Sequence, residues 1–341
     1  MKVSSNEEFF RNIESERKFN LKSFLFQWEW LLVLLLIVIN VMNVSLSPNY
    51  WDFGNLMSAV QMFLDKAILV FPMMLVILLG DIDISVASTM ALSGVLMGVT
   101  YQAGAPMPLA ILIALAVGVI CGFINGFVLV KYKELSSMIV TLSTMIIYRG
   151  IASIILKDQA VSNFPDWFKF FGWGNVGSIP FILLFFIIEA IAFAYLVHKT
   201  PFGRKVYAMG NNIVTSRFSG LKVDKIKIII FTLNGLFAAI AGIFLTSKMG
   251  SARPSIASGY ELDVIAMVVL GGVSTAGGKG RVGGTVLSIF VIGLLRYGLG
   301  LINVPSQSIM IILGALLVIA VAIPNLKESL GLKNLKLFTK N

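Results

Sequence analysis

Ten times along this chain a run of apolar residues, long enough or nearly long enough to cross a bilayer, is followed by a short polar connection. A span needs about 20 mostly apolar residues. The runs fall near 29–46, 56–79, 84–101, 108–130, 136–156, 179–198, 226–247, 262–276, 282–301 and 307–323. Charged residues make up 13% of the chain and hydrophobic ones 57%. Ordinary soluble domains carry about 25% charge, so a chain this poor in charge cannot cover a water-facing surface, and the bilayer must be its main solvent. The expected fold class is an all-α polytopic membrane protein of about ten transmembrane helices, some short or broken. Two runs are irregular. The run 56–79 contains Asp65 and Lys66 and reads as two short pieces. The run 262–276 is short, ends in glycines and reads as a re-entrant or broken helix, which is tolerated only where it is buried in protein or faces a water-filled cavity.

The basic residues orient this layout. With the N-terminus in the cytoplasm, the inner segments are 1–28, 80–83, 131–135, 199–225, 277–281 and 324–341. Together with Lys227 they hold 20 of the 27 Lys and Arg residues, and the outer connections 47–55, 102–107 and 302–306 hold none. Cytoplasmic loops carry the Lys/Arg excess, so both termini are expected inside. A nine-span layout would strand Lys327, Lys333, Lys336 and Lys340 outside. The domain reading is a cytoplasmic tail over 1–28, one membrane domain over 29–325 and a second cytoplasmic tail over 326–341. Residues 7–24 place Phe9, Phe10, Ile13, Leu21 and Phe24 among charges, as either an amphipathic helix on the membrane surface or a solvated tail. No small-residue cleavage site follows the first run, so it reads as a retained anchor rather than a signal peptide. Five spans in each half would make the halves inverted if they are repeats.

Several chemistries are excluded. The net charge of +10 does not indicate nucleic acid, because the basic residues sit in short loops and form no stripe interleaved with aromatics. Cys121 is the only cysteine and lies in an apolar run, so no disulfide framework or Cys-based zinc site is expected. His198 is the only histidine and ends an apolar run, which argues against a histidine metal centre or relay. The glycine-rich stretch 270–284 is not a phosphate loop. Lys279 is followed by Gly280 instead of Ser or Thr, and Val273 stands where the first glycine is required. ATP and Mg, if they drive this protein, belong to a partner subunit.

Polar residues in an apolar setting mark the candidate sites. Asp81 and Asp83 lie between two spans, with Ser85 at the start of the next. They either cap the start of the next helix or serve substrate passage or gating, since carboxylates in a membrane usually face an interior cavity. Asn125, Thr141, Ser143, Asn234 and Gln307 are uncharged polar residues in or at the edges of spans; they suit either a sugar pathway or interhelical hydrogen bonds. Arg149 and Arg296 are intramembrane cations that either snorkel or pair with a carboxylate. Gly118, Gly122 and Gly126 recur every four residues on the fourth span, with Gly94 and Gly98 on the third and Gly235, Ala239 and Gly242 on the seventh. Such faces let helices pack closely. Within the long loop 199–225, Asn211 or Asn212 is a good N-cap, 213–219 a short helix and Gly220 its stop. Exposed Arg217, with Ile213 and Phe218, suits docking onto a partner; a bare structural loop is the alternative.

Four ordered segments resemble the ribose-type permeases of bacterial ABC importers, whose members also serve rhamnose, xylose, galactose and furanose signals. The family's acidic turn is similar to Gly80–Asp81–Ile82–Asp83–Ile84–Ser85–Val86–Ala87–Ser88. A second segment is similar to Val140–Thr141–Leu142–Ser143–Thr144–Met145 with Tyr148–Arg149–Gly150. The coupling segment matches Thr200–Pro201–Phe202–Gly203–Arg204 through Gly210–Asn211 to Ser219–Gly220. The late signature matches Glu261–Leu262–Asp263–Val264–Ile265–Ala266 and Leu270–Gly271–Gly272, then Gly277–Gly278. The resemblance runs over about 50–325. Asp81 and Ala87 replace family glycines, and acid at the first position is similar to the rhamnose-type branch. The resemblance implies a multi-pass protein of the bacterial cytoplasmic membrane that is not itself an enzyme. It implies a second permease copy or paralogue, a separate ABC ATPase, a sugar-binding protein outside and a monosaccharide substrate. Gly203, Arg204, Gly210, Asn211, Asn212, Arg217 and Gly220 become the ATPase-coupling residues; Asp81, Asp83, Ser85, Asn125, Thr141 and Asn234 become the pathway or gating residues. A proton- or cation-coupled secondary transporter is the alternative.

Overall fold

A computed structural model describes residues 28–157, 159–305, 307–316 and 318. The surface helix or tail expected over 7–24 and the tail 326–341 lie outside the described residues. The described chain is almost entirely helical. Its helices are α1 (Trp28–Leu46), α2 (Phe53–Ala67), α3 (Val70–Leu78), α4 (Val86–Gln102), α5 (Met107–Lys131), α6 (Ser137–Leu156), α7 (Lys169–Trp173), α8 (Phe181–Lys199), α9 (Pro201–Asn211), α10 (Ile213–Phe218), α11 (Val223–Met249), α12 (Tyr260–Leu270), α13 (Val282–Leu301) and α14 (Gln307–Leu316). A two-stranded hairpin, β1 (Asn175–Val176) and β2 (Ile179–Pro180), sits between α7 and α8. Seven helical segments are long and apolar enough to cross a membrane, with α2 and α3 taken as one stretch. The protein is therefore an all-α, multi-pass membrane protein.

The apolar runs are helical over most of their described residues, the tenth being described as a helix over Gln307–Leu316, and the irregular ones break where the sequence is irregular. The run 56–79 divides into α2 and α3 just after Asp65 and Lys66. Asp52 starts α2 by accepting hydrogen bonds from the backbone N–H groups of Gly54 and Asn55, which satisfies two donors that a helix start leaves free. The run 262–276 ends as a helix at Leu270, and Gly271–Gly272 turn the chain into an irregular loop before α13. The third run becomes helical only at Val86, after an unwound segment.

Close packing follows the glycine faces. Gly118, Gly122 and Gly126 of α5 lie against Gly235, Phe231 and Ile228 of α11, so close that a Cβ on Gly122 would strike the carbonyl oxygen of Phe231. Lipid tails are as apolar as the side chains, so helix association here depends on such backbone approach. Gly242 of α11 meets Met90 of α4, which brings a third helix into this core. Around it, α5, α6 and α8 turn exposed Phe123, Ile154, Ile188 and Ile191 outward.

Candidate functional site

All six residues expected to serve the pathway or its gate meet at the unwound segment between α3 and α4. Gly80 makes the reversal with φ +81°, a conformation that excludes side chains with little tolerance. Asp83 is buried and accepts hydrogen bonds from Ser85 N (2.9 Å), Ser85 Oγ (2.7 Å) and Asn234 Nδ2 (2.8 Å). Ser85 Oγ in turn accepts from Asn125 Nδ2 (2.8 Å), and Asn125 Oδ1 accepts from the Tyr148 hydroxyl (3.3 Å). Thr141 Oγ1 accepts from Ile84 N (3.1 Å) and Ser137 Oγ from Ile82 N (3.1 Å), so α6 supplies partners that the unwound backbone lacks. Asp81 pairs with Lys227 of α11 at 2.9 Å. The acid that departs from the family glycine thus has a structural partner. Asp83 thus binds Ser85, the N-cap residue of α4, which makes no side-chain cap hydrogen bond of its own, and ties that entry to α5 through Asn125 and to α11 through Asn234. Asp83, Ser85, Asn125, Thr141 and Asn234 are all buried. Ser143 and Gln307 stand apart: Ser143 bonds back to Ile139 O within its own helix, and both are exposed.

The loop 199–225 folds into two helices, one more than its sequence was read to hold. Thr200 caps α9 through Gly203 N (3.3 Å) and Pro201 occupies the first turn, a cap-then-proline start visible in the sequence. Asn212 Oδ1 accepts from Thr215 N (2.9 Å) to begin α10, and Gly220, at φ +79°, follows its end. The junction of α9 and α10 is wedged against both irregular segments of the bundle. Gly210 packs on Leu78 O and on Gly278; Gly278 N donates to Leu78 O (2.9 Å); and the Tyr207 hydroxyl donates to Gly280 O (2.7 Å). Burial pushes the Tyr207 hydroxyl up from its ordinary pKa, which keeps it a donor. Gly203 packs on Val197 O, while Arg204, Asn211, Asn212 and Gly220 are exposed.

Beyond that junction α10 presents a surface. Phe218 is 89% exposed, and Ile213 and Val214 are also open. Arg217 binds Asp224 at 2.7 Å, with Lys133 at 3.8 Å from the same carboxylate. These residues line a groove of about 430 Å³ with Leu129 and Lys227.

A third constellation was not anticipated. Asp263, in the first turn of α12, binds Lys66 of α2 at 2.6 Å and Arg296 of α13 at 2.8 Å. Asp65 accepts from the Tyr260 hydroxyl (3.1 Å) and lies 3.4 Å from Lys248. Arg149 of α6 donates to the carbonyls of Pro254 (2.5 Å) and Ile256 (2.8 Å), on the loop that leads into α12. Both intramembrane arginines therefore have partners. The available signals were the acids of the late signature and the charges interrupting 56–79, but nothing in their spacing pairs them.

Comparison with known proteins agrees with this architecture. Residues 55–321 match the family described as branched-chain amino acid transport system / permease component. The ribose import permease protein RbsC of Escherichia coli K12 is 36% identical over 318 residues, covering 92% of this chain and 98% of that protein. RbsC of Bacillus subtilis 168 is 35% identical over 300 residues, covering 87% and 92%. The autoinducer 2 import system permease protein LsrD of Escherichia coli O9:H4 is 33% identical over 301 residues, covering 86% and 91%. No solved structure matches the chain.

Proposed function

The chain belongs to the branched-chain amino acid transport system / permease component family, and from that premise we propose that it is the membrane-spanning subunit of an ATP-driven sugar importer. It forms the translocation route for a monosaccharide in a bacterial cytoplasmic membrane. The observation that carries this reading is the end-to-end similarity to sugar-import permeases, joined to an exposed elbow, α9–α10, that is wedged against both broken helices.

The elbow faces the cytoplasm, on the side that holds most of the basic residues. Arg217 and the apolar Ile213, Val214 and Phe218 form the docking surface for a separate ATPase, which carries ATP and Mg. Gly203, Arg204, Asn211, Asn212 and Gly220 shape that elbow, and Gly210 carries its movement to Leu78 and Gly278. Asp81, Asp83, Ser85, Asn125, Thr141 and Asn234 act as the gate: they hold the entry of α4 in one closed arrangement that the elbow can disturb. A second permease copy or paralogue and an external sugar-binding protein complete the assembly, and the binding protein selects the sugar.

The test is reconstitution with the ATPase and the binding protein in vesicles. Uptake of radiolabelled monosaccharide should require ATP and stop with vanadate. Uptake by the lone chain, driven by an ion gradient, would overturn the reading.

A further inference from the structure

Arg296 and Asp263 form the charge pair that raises a question of solvent. Arg296 is the fifteenth residue of α13, about 21 Å along a helix roughly 30 Å long, and Asp263 lies in the first turn of the half-helix α12. Their side chains remain 34% and 15% exposed. The guanidinium Nη2 is held on Asp263. A charged side chain within the hydrocarbon costs at least about 2.5–3.5 kcal/mol, and acyl chains offer it no hydrogen bond. On α6 and α8, by contrast, the outward positions are Ile146, Ile154, Ile188 and Ile191, which suits lipid.

The same pair lies on a groove of about 290 Å³ between α12, α13 and α14, lined also by Tyr260, Leu262, Met310 and Leu313. That volume is at the small end of ligand pockets, which run from about 300 Å³. Its polar groups converge from two helices, and one of these, α12, is a short helix of 11 residues whose first turn holds Asp263. A carboxylate accepts from sugar hydroxyls, a guanidinium donates to them in fixed directions, and a phenol ring offers an apolar face for C–H groups. Lys66 and Arg296 share the single Asp263 carboxylate, so the trio carries a net charge of +1, and a neutral, hydroxyl-rich ligand would be met through hydrogen-bond donors and acceptors rather than through charge.

We propose that this groove is the wall of the translocation pathway, and that Asp263, Arg296 and Tyr260 contact the hydroxyls of the monosaccharide as it passes. The proposal rests on the importer reading and adds to it the face and residues that meet the substrate. The buried gate around Asp83 then controls the route without lining it.

The test separates the face from the function. In a Cys121→Ala background, Leu262→Cys, Met310→Cys and, as a lipid-facing control, Ile188→Cys are placed in the assembled importer in vesicles. All are treated with a charged, water-soluble thiol reagent. Thiolate is the reactive form and needs water, so Leu262→Cys and Met310→Cys should react on the order of tenfold faster than Ile188→Cys. D-ribose or another monosaccharide that the importer takes up should slow labelling at Leu262→Cys. Uptake by Arg296→Lys and Tyr260→Leu, each checked for normal insertion and thermal stability, should show a raised half-saturation concentration. Labelling as slow as at Ile188→Cys overturns the proposal even if transport is normal. So does fast labelling that no transported sugar slows, with uptake by both variants matching wild type. Because labelling requires no transport, failure of the importer reading would appear separately, as absent uptake in every variant.

Discussion

The contact at Gly210 makes the coupling route measurable. In Gly210→Ala the new methyl would collide with Leu78 O and Gly278 N and stand 2.9 Å from Gly278 Cα. All three atoms are backbone, so no flexible tip can yield. Carbon contacts settle near 3.5–4.0 Å, and the elbow must therefore withdraw by about 1 Å. Overpacking of this kind costs about 1–3 kcal/mol. Applied to the docked position of the elbow, that is a 5- to 150-fold loss in its population, by the arithmetic of coupling energies at about 1–3 kcal/mol. Sugar moved per ATP hydrolysed should fall by about tenfold, equivalent to 1.4 kcal/mol. Gly150→Ala is the control. Gly150 lies on α6, away from the elbow, with nothing within 4 Å of its added methyl, so its substitution should leave that ratio unchanged. The assay is the ratio of uptake to ATP hydrolysis in vesicles. A Gly210→Ala importer that moves as much sugar per ATP as wild type would refute the transmission through Leu78 and Gly278.

Three further outcomes follow from other contacts. Gly122→Val, which drives a side chain into Phe231 O, should destabilise the α5–α11 crossing by about 3 kcal/mol or more; the readout is a lowered unfolding temperature in detergent, with Gly150→Ala, which has open space, unchanged. Lys227→Met leaves Asp81 without its 2.9 Å partner and, the pair being half-buried, should cost about 1–3 kcal/mol, between an exposed pair and a buried one, while adding Asp81→Gly should restore most of the thermal stability. Glu189 is buried on α8 with neither carboxylate oxygen hydrogen-bonded, the feature a proton-coupled carrier would use. In an ATP-driven importer Glu189→Gln should keep its uptake, and a protonophore should leave that uptake intact. Loss of uptake on both treatments would favour the proton-coupled alternative.

The span pattern was legible because lipid imposes a long, one-valued apolar signal on each helix. The short helix at 213–218 was legible because Asn212 and Gly220 are strong local punctuation. Helix α9 was within reach too: Thr200–Pro201 is a start signal, obscured by the charged and aromatic residues that follow. Partnerships were a different matter. Lys66 is 197 positions from Asp263 and Asp81 is 146 from Lys227, and such pairs are fixed by how helices cross, which no local pattern encodes. Asp83 was legible as a carboxylate between two apolar runs, but the burial of Asp83 and Ser85 depends on Asn125 and Asn234 arriving from two other helices.

That burial separates two tasks that the sequence seemed to give to one set of residues. Whereas Asp263, although paired with Lys66 and Arg296, keeps 15% of its side chain exposed on the groove, Asp83 is 2% exposed with its carboxylate oxygens held by Ser85 and Asn234. The arrangement suits a latch, which must be satisfied when closed, better than a contact surface, which must be open when substrate arrives. The geometry also supplies the link from latch to surface. The segment that Gly210 touches ends two residues past Leu78 on one side, at the turn of Gly80, and on the other runs from Gly278 into α13 at Val282. Displacing the elbow therefore acts on the entry to α4 and on the first turn of α13 together. Since α13 carries Arg296 about 21 Å away along one continuous helix, a push from the ATPase side can loosen the gate and shift the groove in the same stroke.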